Sequence, residues 1–348
     1  MRIGIHSSAA SPEGATYAKN LAAALLHRLH PSDRLVTFEA KCAESFADRA
    51  QPLAPFAACL ASLCTDRALT RYLRSVDLSH SIGILAAPTD AGGAIIPLLA
   101  DLAVQSRQME RFLAQIDGFP MVTTTSASAQ TELAALTGLP YARIGVIPPG
   151  VEPIFYEPAR PEDEWELQVL GMLPRQFFLH VSQGDAPADL AILLEAYATL
   201  PERIKAWLPL VIVNICAGPI PARHVAQRDI DLGNIRTLEA PPKFLLRMLY
   251  RSARLVLFPA TKGGFGLTMA QALVCGATIA VTSGTALADM AGPRARLVNQ
   301  ADPADWQAAM EDQVDCLAQT VAPPPAHFSW DHAAAQALTI YRQALVTA

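Results

Sequence analysis

Between Leu249 and Gly276 the chain reads LYRSARLVLFPATKGGFGLTMAQALVCG, and no other stretch limits its possible folds so strongly. Leu255-Val256-Leu257-Phe258 is a short apolar run with β-branched and aromatic character, closed by Pro259. A run that is apolar at every position fits an interior strand of a parallel sheet, buried on both faces. A loop follows at once. Gly263, Gly264 and Gly266 permit positive φ and let a ligand approach the backbone without a Cβ in the way. Helical spacing resumes at Leu267 and continues through Cys275. Strand, glycine loop and helix N-terminus in this order make an anion site. The N–H groups of the first helical turn and the positive end of the helix dipole both favour a phosphate there.

Strand and helix patterns alternate along the rest of the chain, which implies parallel sheets joined by crossover helices. The first unit of this kind is Arg2 to Ile5, a helix near Thr16 to Leu29, then Leu35 to Phe38. Further strands are expected at Val76 to Leu78, with His80 closing it, and at Ile95 to Leu99, Phe177 to Val181, Leu208 to Ile215 and Thr278 to Val281. A chain of 348 residues exceeds one ordinary core, so two domains are expected. Pro148-Pro149-Gly150 and Pro153 break regular structure between them. The acidic stretch Arg160-Pro161-Glu162-Asp163-Glu164 predicts an exposed excursion in that connection.

Only 17% of residues are charged against 51% apolar, so the chain buries a great deal or offers apolar surface to a partner. The formal charge of −5, without a basic cluster, argues against nucleic acid or an anionic membrane as the main partner. Cys42, Cys59, Cys64, Cys216, Cys275 and Cys316 are scattered without metal spacing and read as reduced core thiols. The chain enters a strand directly, without the pattern of a signal peptide, and contains no apolar run long enough to span a bilayer. A cytoplasmic location is expected, free or peripheral at the inner membrane.

The wider pattern, LYRSAR-LVLFPA followed by GGFGL, QA and CG and then by VTSGTALADMAG, resembles the donor-binding core of the family 4 glycosyltransferases. Val146 to Val151 is similar to that family's interdomain segment, and Phe328-Ser329-Trp330 with the helix to Tyr341-Arg342 to its closing segment. The N-terminal half matches more loosely, through SVDLSHS at 75–81 and TTTSASAQTEL at 123–133. The resemblance implies an α/β protein of the GT-B class, with two Rossmann-like doubly wound domains. These would be an acceptor-side domain at 1–150, a linker at 151–175, a donor domain at 176–325, and a helix at 326–348 returning across them. It implies a retaining, metal-independent transferase that needs no cofactor beyond its co-substrate, a nucleotide-sugar, and acts on a saccharide or lipid-linked acceptor.

The same resemblance exposes four departures. Where the family has a glutamate on each side of the glycine-phenylalanine loop, this chain has Gly263 and Gln271. Where the family clamps the donor pyrophosphate with an arginine and a lysine, it has Gln183 and Ala188. Gln271 can still accept from and donate to ribose hydroxyls, without charge assistance. A catalytically degenerate homologue, paired with a protein partner or with itself as a scaffold, is therefore the alternative to a transferase. Donor contacts are expected from Gly264, Phe265, Gly266 and Leu267 together with Gln271. Lys262 is either a substitute phosphate ligand or a solvated loop lysine. Ser283 and Thr285 either serve phosphate oxygens or form a strand-to-helix turn capped by Thr285. Asp289 either keeps the place of a family glutamate or is a helix N-terminal acid. His80 either faces the cleft or is satisfied by backbone, and Asp101 stands where the family has the second member of a His-Asp pair. His80 and Asp101 are the two catalytic candidates.

Overall fold

The computed structural model describes residues 1–7, 12–39, 71–82, 94–99, 107–182, 187–215, 227–260, 264–299, 302–315 and 328–347. Two units separate, Met1–Gly150 with His327–Ala348 and Val151–Ala326. Each is built on a parallel six-stranded sheet with helices between strands, the two-domain α/β architecture expected of the sequence.

The first sheet contains β1 (Arg2–Ser7), β2 (Arg34–Glu39), β3 (Leu78–Ile82), β4 (Ala94–Leu99), β5 (Val122–Thr124) and β6 (Ile144–Val146), in the order β2-β1-β3-β4-β5-β6. The order in which the chain adds strands reverses between β1 and β3, a topological switch point. One core packs Tyr72, Leu73 and Val76 with Ile95, Phe112, Val122 and Leu133. The helix Ala127–Thr137 is bounded by local chemistry. Ser126 caps it by accepting from the Ala129 N–H, and Gly138 ends it at a φ of 72°. The C-terminal helix Trp330–Thr347 belongs to this unit, where Trp330 meets Tyr17 edge to face at 5.2 Å and Arg28 pairs with Asp331. The Tyr17 hydroxyl donates to the Ile147 carbonyl at 2.8 Å.

The second sheet contains β7 (Phe178–Ser182), β8 (Leu210–Asn214), β9 (Ile235–Glu239), β10 (Leu255–Phe258), β11 (Ile279–Thr282) and β12 (Ala295–Val298), in the order β12-β11-β10-β7-β8-β9. Counted within the unit, this is the 3-2-1-4-5-6 order of dinucleotide-binding sheets, with its switch point between β7 and β10. All four residues of β10 are buried, as the unbroken apolar run requires. Phe178, Leu193, Tyr197, Leu210, Leu257 and Trp306 form the core beneath it.

Two expectations are corrected. His80 does not close a strand at Leu78, because β3 starts at Leu78 and runs to Ile82, putting His80 in mid-strand. Ser79, His80 and Ser81 disguise this strand in the sequence, yet all three are buried. The acidic stretch at 160–164 is also not wholly exposed. The residues 151–175 carry the helices Pro153–Tyr156 and Pro161–Val169 within the second unit. Asp163 is buried, accepts from the Arg160 N–H, and takes both its oxygens to Arg247 at 3.0 and 3.1 Å. Arg247, 2% exposed, also reaches Glu157 at 2.9 Å. A buried guanidinium needs such carboxylates, and Asp163 supplies one while capping its own helix.

Candidate functional site

In an open doubly wound sheet a ligand binds beyond the carboxyl ends of the strands, where two loops diverge at the switch point. In the second unit those loops follow β7 and β10. Their floor is pinned by His180 on β7, whose Nδ1 donates to the Leu257 carbonyl on β10 at 2.9 Å. A carbonyl only accepts, so the proton sits on Nδ1.

The loop after β10 leads through Gly264 and buried Phe265 to Gly266, the N-cap of the helix Leu267–Val274. Gly266 has a φ of 70° and brings no side-chain cap. A Cβ there would be strained by the backbone and would meet the Met290 Cε at 2.6 Å. The helix therefore opens at the carboxyl edge without a side-chain cap, where its dipole favours an anion. Leu267 packs into the interior.

Gln271, on the next turn, is 7% exposed, and among the described residues its Oε1 accepts from no hydrogen-bond donor. A buried amide oxygen left without a partner costs about 1–3 kcal/mol, a cost that a ligand hydroxyl or N–H would remove. Thr282, the last residue of β11, presents the same chemistry. It is fully buried, and among the described residues its Oγ1 also lacks a partner. Thr282 was not among the expected contacts because the strand reads as ending at Val281, whereas it runs one residue further. Its sequence signal is its place directly before the Ser283-Gly284-Thr285 turn.

The remaining residues of this edge are placed as follows. Thr285 caps the helix Ala286–Ala291, accepting from the Ala288 N–H at 3.2 Å and donating to the Thr282 carbonyl at 2.8 Å. Ser283 is exposed, and its N–H donates to the Val298 carbonyl. Asp289 is exposed in the first turn of that helix. Cys275 is buried, and burial pushes its thiol up to about 12, so it is protonated at neutral pH and is no nucleophile. Gln183, Lys262, Gly263 and Asp101 lie outside the described residues, as does the side chain of Ala188. Among the described residues no three His, Cys, Asp or Glu side chains cluster in a way that could hold a metal ion.

His80, in the first unit, is fully buried with both ring nitrogens engaged. Thr123 Oγ1 already donates to the Pro97 carbonyl at 3.0 Å, so it accepts from His80 Nε2–H at 3.1 Å. His80 Nδ1 then accepts the Tyr341 hydroxyl at 2.7 Å. Desolvation lowers its pKa to about 3, which keeps the ring neutral. His6, near the end of β1, is lowered to about 4 for the same reason.

Residues 176–315 match the family of glycosyl transferases group 1. This match lies within the second unit. The match begins just before β7 and includes the glycine loop, Gln271 and Thr282. A D-inositol 3-phosphate glycosyltransferase of Rhodococcus erythropolis is 30% identical over 255 residues, covering 68% of this chain and 56% of the relative. An O-antigen chain mannosyltransferase B of Escherichia coli is 25% identical over 247 residues, covering 68% and 64%. The chain thus spans less than two thirds of the length of these curated relatives. The fold extends across the whole chain. Anabaena HepE in complex with UDP-glucose superposes with a TM-score of 0.71 at 16% identity, covering 100% of this chain and 99% of that one. Among the described residues no helix is long and apolar enough to cross a membrane.

Proposed function

We propose that this chain is a retaining glycosyltransferase that moves a sugar from a nucleotide-sugar to a glycan, lipid-linked saccharide or small acceptor, without a metal or other cofactor. The observation that carries this reading is Gln271. An amide oxygen that is buried and, among the described residues, without a partner on the first helix after the glycine loop, within the stretch that matches glycosyl transferases group 1, suits a ribose hydroxyl of the donor. The diphosphate then occupies the start of the helix Leu267–Val274, where Gly266 brings no side chain. The UDP-glucose held by HepE, which shares this fold, supports a nucleotide-sugar as the ligand class. In the transfer the anomeric carbon exchanges its bond to the diphosphate oxygen for one to an acceptor hydroxyl oxygen, and the hydroxyl proton leaves with the diphosphate. Lys262 supplies positive charge to the departing diphosphate, and Ser283 and Asp289 complete the donor side. The chain works in the cytoplasm or at the inner membrane surface.

A second reading rests on its own observation, the presence of Gly263, Gln271, Gln183 and Ala188 where the family resemblance calls for two glutamates, an arginine and a lysine. Two of these departures remove the cations that would act on the developing negative charge and two remove carboxylates beside the donor, so the chain binds its nucleotide and scaffolds a partner without turnover. Calorimetric titration with UDP, GDP and ADP tests the common ground. Micromolar binding of one nucleotide, weakened about tenfold by Gln271→Ala, supports the donor site, since a single neutral hydrogen bond contributes about that much. No binding at millimolar nucleotide overturns it. Where binding is found, release of free UDP from UDP-sugars in the presence of saccharide acceptors separates the transferase from the scaffold.

A further inference from the structure

The first unit has an open cavity of about 550 Å³ between the C-terminal helix and the segment that carries β6. Its helix-side wall is His332, Gln336, Thr339 and Gln343, whose spacing puts all four on one helix face. The opposite wall holds Tyr141, 55% exposed, and Gln130, whose Nε2 is fixed by donating to the Ile144 carbonyl at 2.5 Å. Gly145 forms part of the floor. A Cβ there would fall 2.5 Å from the Ile340 Cδ1, so a larger residue would make the Ile340 side chain shift.

The composition of this lining selects a ligand. No lysine, arginine, aspartate or glutamate lines the cavity, so it offers no fixed charge to a phosphate, a carboxylate or an ammonium group. Side-chain amides and a hydroxyl supply paired donors and acceptors, which match the vicinal hydroxyls of a sugar ring. The Tyr141 ring adds a rigid apolar face with a polar tip, suited to the C–H face of a pyranose. We propose that this cavity binds a neutral saccharide chain, as a site of its own on the first unit. The proposal draws on nothing in the second unit and stands apart from the transferase reading.

Saturation-transfer NMR on the full chain, titrated with maltohexaose, mannohexaose and the acidic hexagalacturonate, tests it without any nucleotide. One of the neutral sugars is expected to bind and the acidic one not. Tyr141→Ala is expected to weaken that binding about tenfold, as loss of an aromatic anchor does. Gln336→Ala, on an exposed helix face where folding is undisturbed, serves as an independent variant and is expected to weaken it as well. Binding that survives both substitutions, a preference for hexagalacturonate, or no binding of either neutral sugar at millimolar concentration overturns the proposal.

Discussion

His80, in mid-strand in the first unit, and Gln271, on the helix after β10 in the second, are both buried polar side chains, and they differ in one respect. Both nitrogens of His80 have partners from its own unit, Tyr341 and Thr123, while the Gln271 amide oxygen has none among the described residues. The first arrangement is closed and adds rigidity. The second leaves a desolvation cost that only a ligand or a substitution relieves. Burial of a polar group is thus a poor guide to function until its partners are counted. Asp163 and Thr285 belong with His80, and Thr282 belongs with Gln271.

The largest expected effect comes from breaking a closed arrangement. Asp163→Ala leaves the buried Arg247 guanidinium short of its main carboxylate, and a loss of about 3–5 kcal/mol is expected, read as a lower urea midpoint by tryptophan fluorescence. Next is acid. The folded-state pKa values of His80 and His6, about 3 and about 4, lie below the ordinary value of 6.5, so the unfolded chain takes up protons first. Stability from their burial is whole above pH 6.5 and falls as pH drops from there toward 4. Between pH 7 and pH 5 the loss is about 2 kcal/mol for each histidine. Urea titrations at both pH values check this, and His80→Gln should remove about half of the difference.

Gln271→Met should act in the opposite direction. Replacing an unpartnered acceptor by an apolar side chain of similar length is expected to raise stability by about 1 kcal/mol while nucleotide binding weakens, read by thermal denaturation alongside calorimetry. A fall in stability would mean that the Gln271 amide is part of a closed network and would erase the contrast with His80. The smallest effect is expected at Thr285→Ala, a loss of about 1 kcal/mol from the removed helix cap. Nucleotide affinity should stay unchanged, because that hydroxyl is already occupied by backbone. A matching loss of affinity would move Thr285 to the ligand side of the comparison.

Much of this architecture is legible in the amino-acid sequence because it depends on local properties. The β10 run is apolar at each position, Gly266 meets a left-handed backbone, and the helix after it keeps its period through Val274, all properties of neighbouring residues. Element boundaries shifted by a residue or two where polar side chains sit in buried strands. β3 is the clearest case, since Ser79, His80 and Ser81 read as the end of a strand and form its middle.

The sequence by itself therefore determined the alternating α/β order, the position of the glycine loop and the residue types available at the carboxyl edge of the second sheet. Only the tertiary structure decided which polar groups are spent on the fold and which are left open. His80 meets Tyr341 across 261 residues and Asp163 meets Arg247 across 84, pairings that no local pattern encodes. Hydrogen bonding acts over about 3 Å, so the partner of a buried group is set by where the whole chain brings it, and not by its neighbours in the sequence.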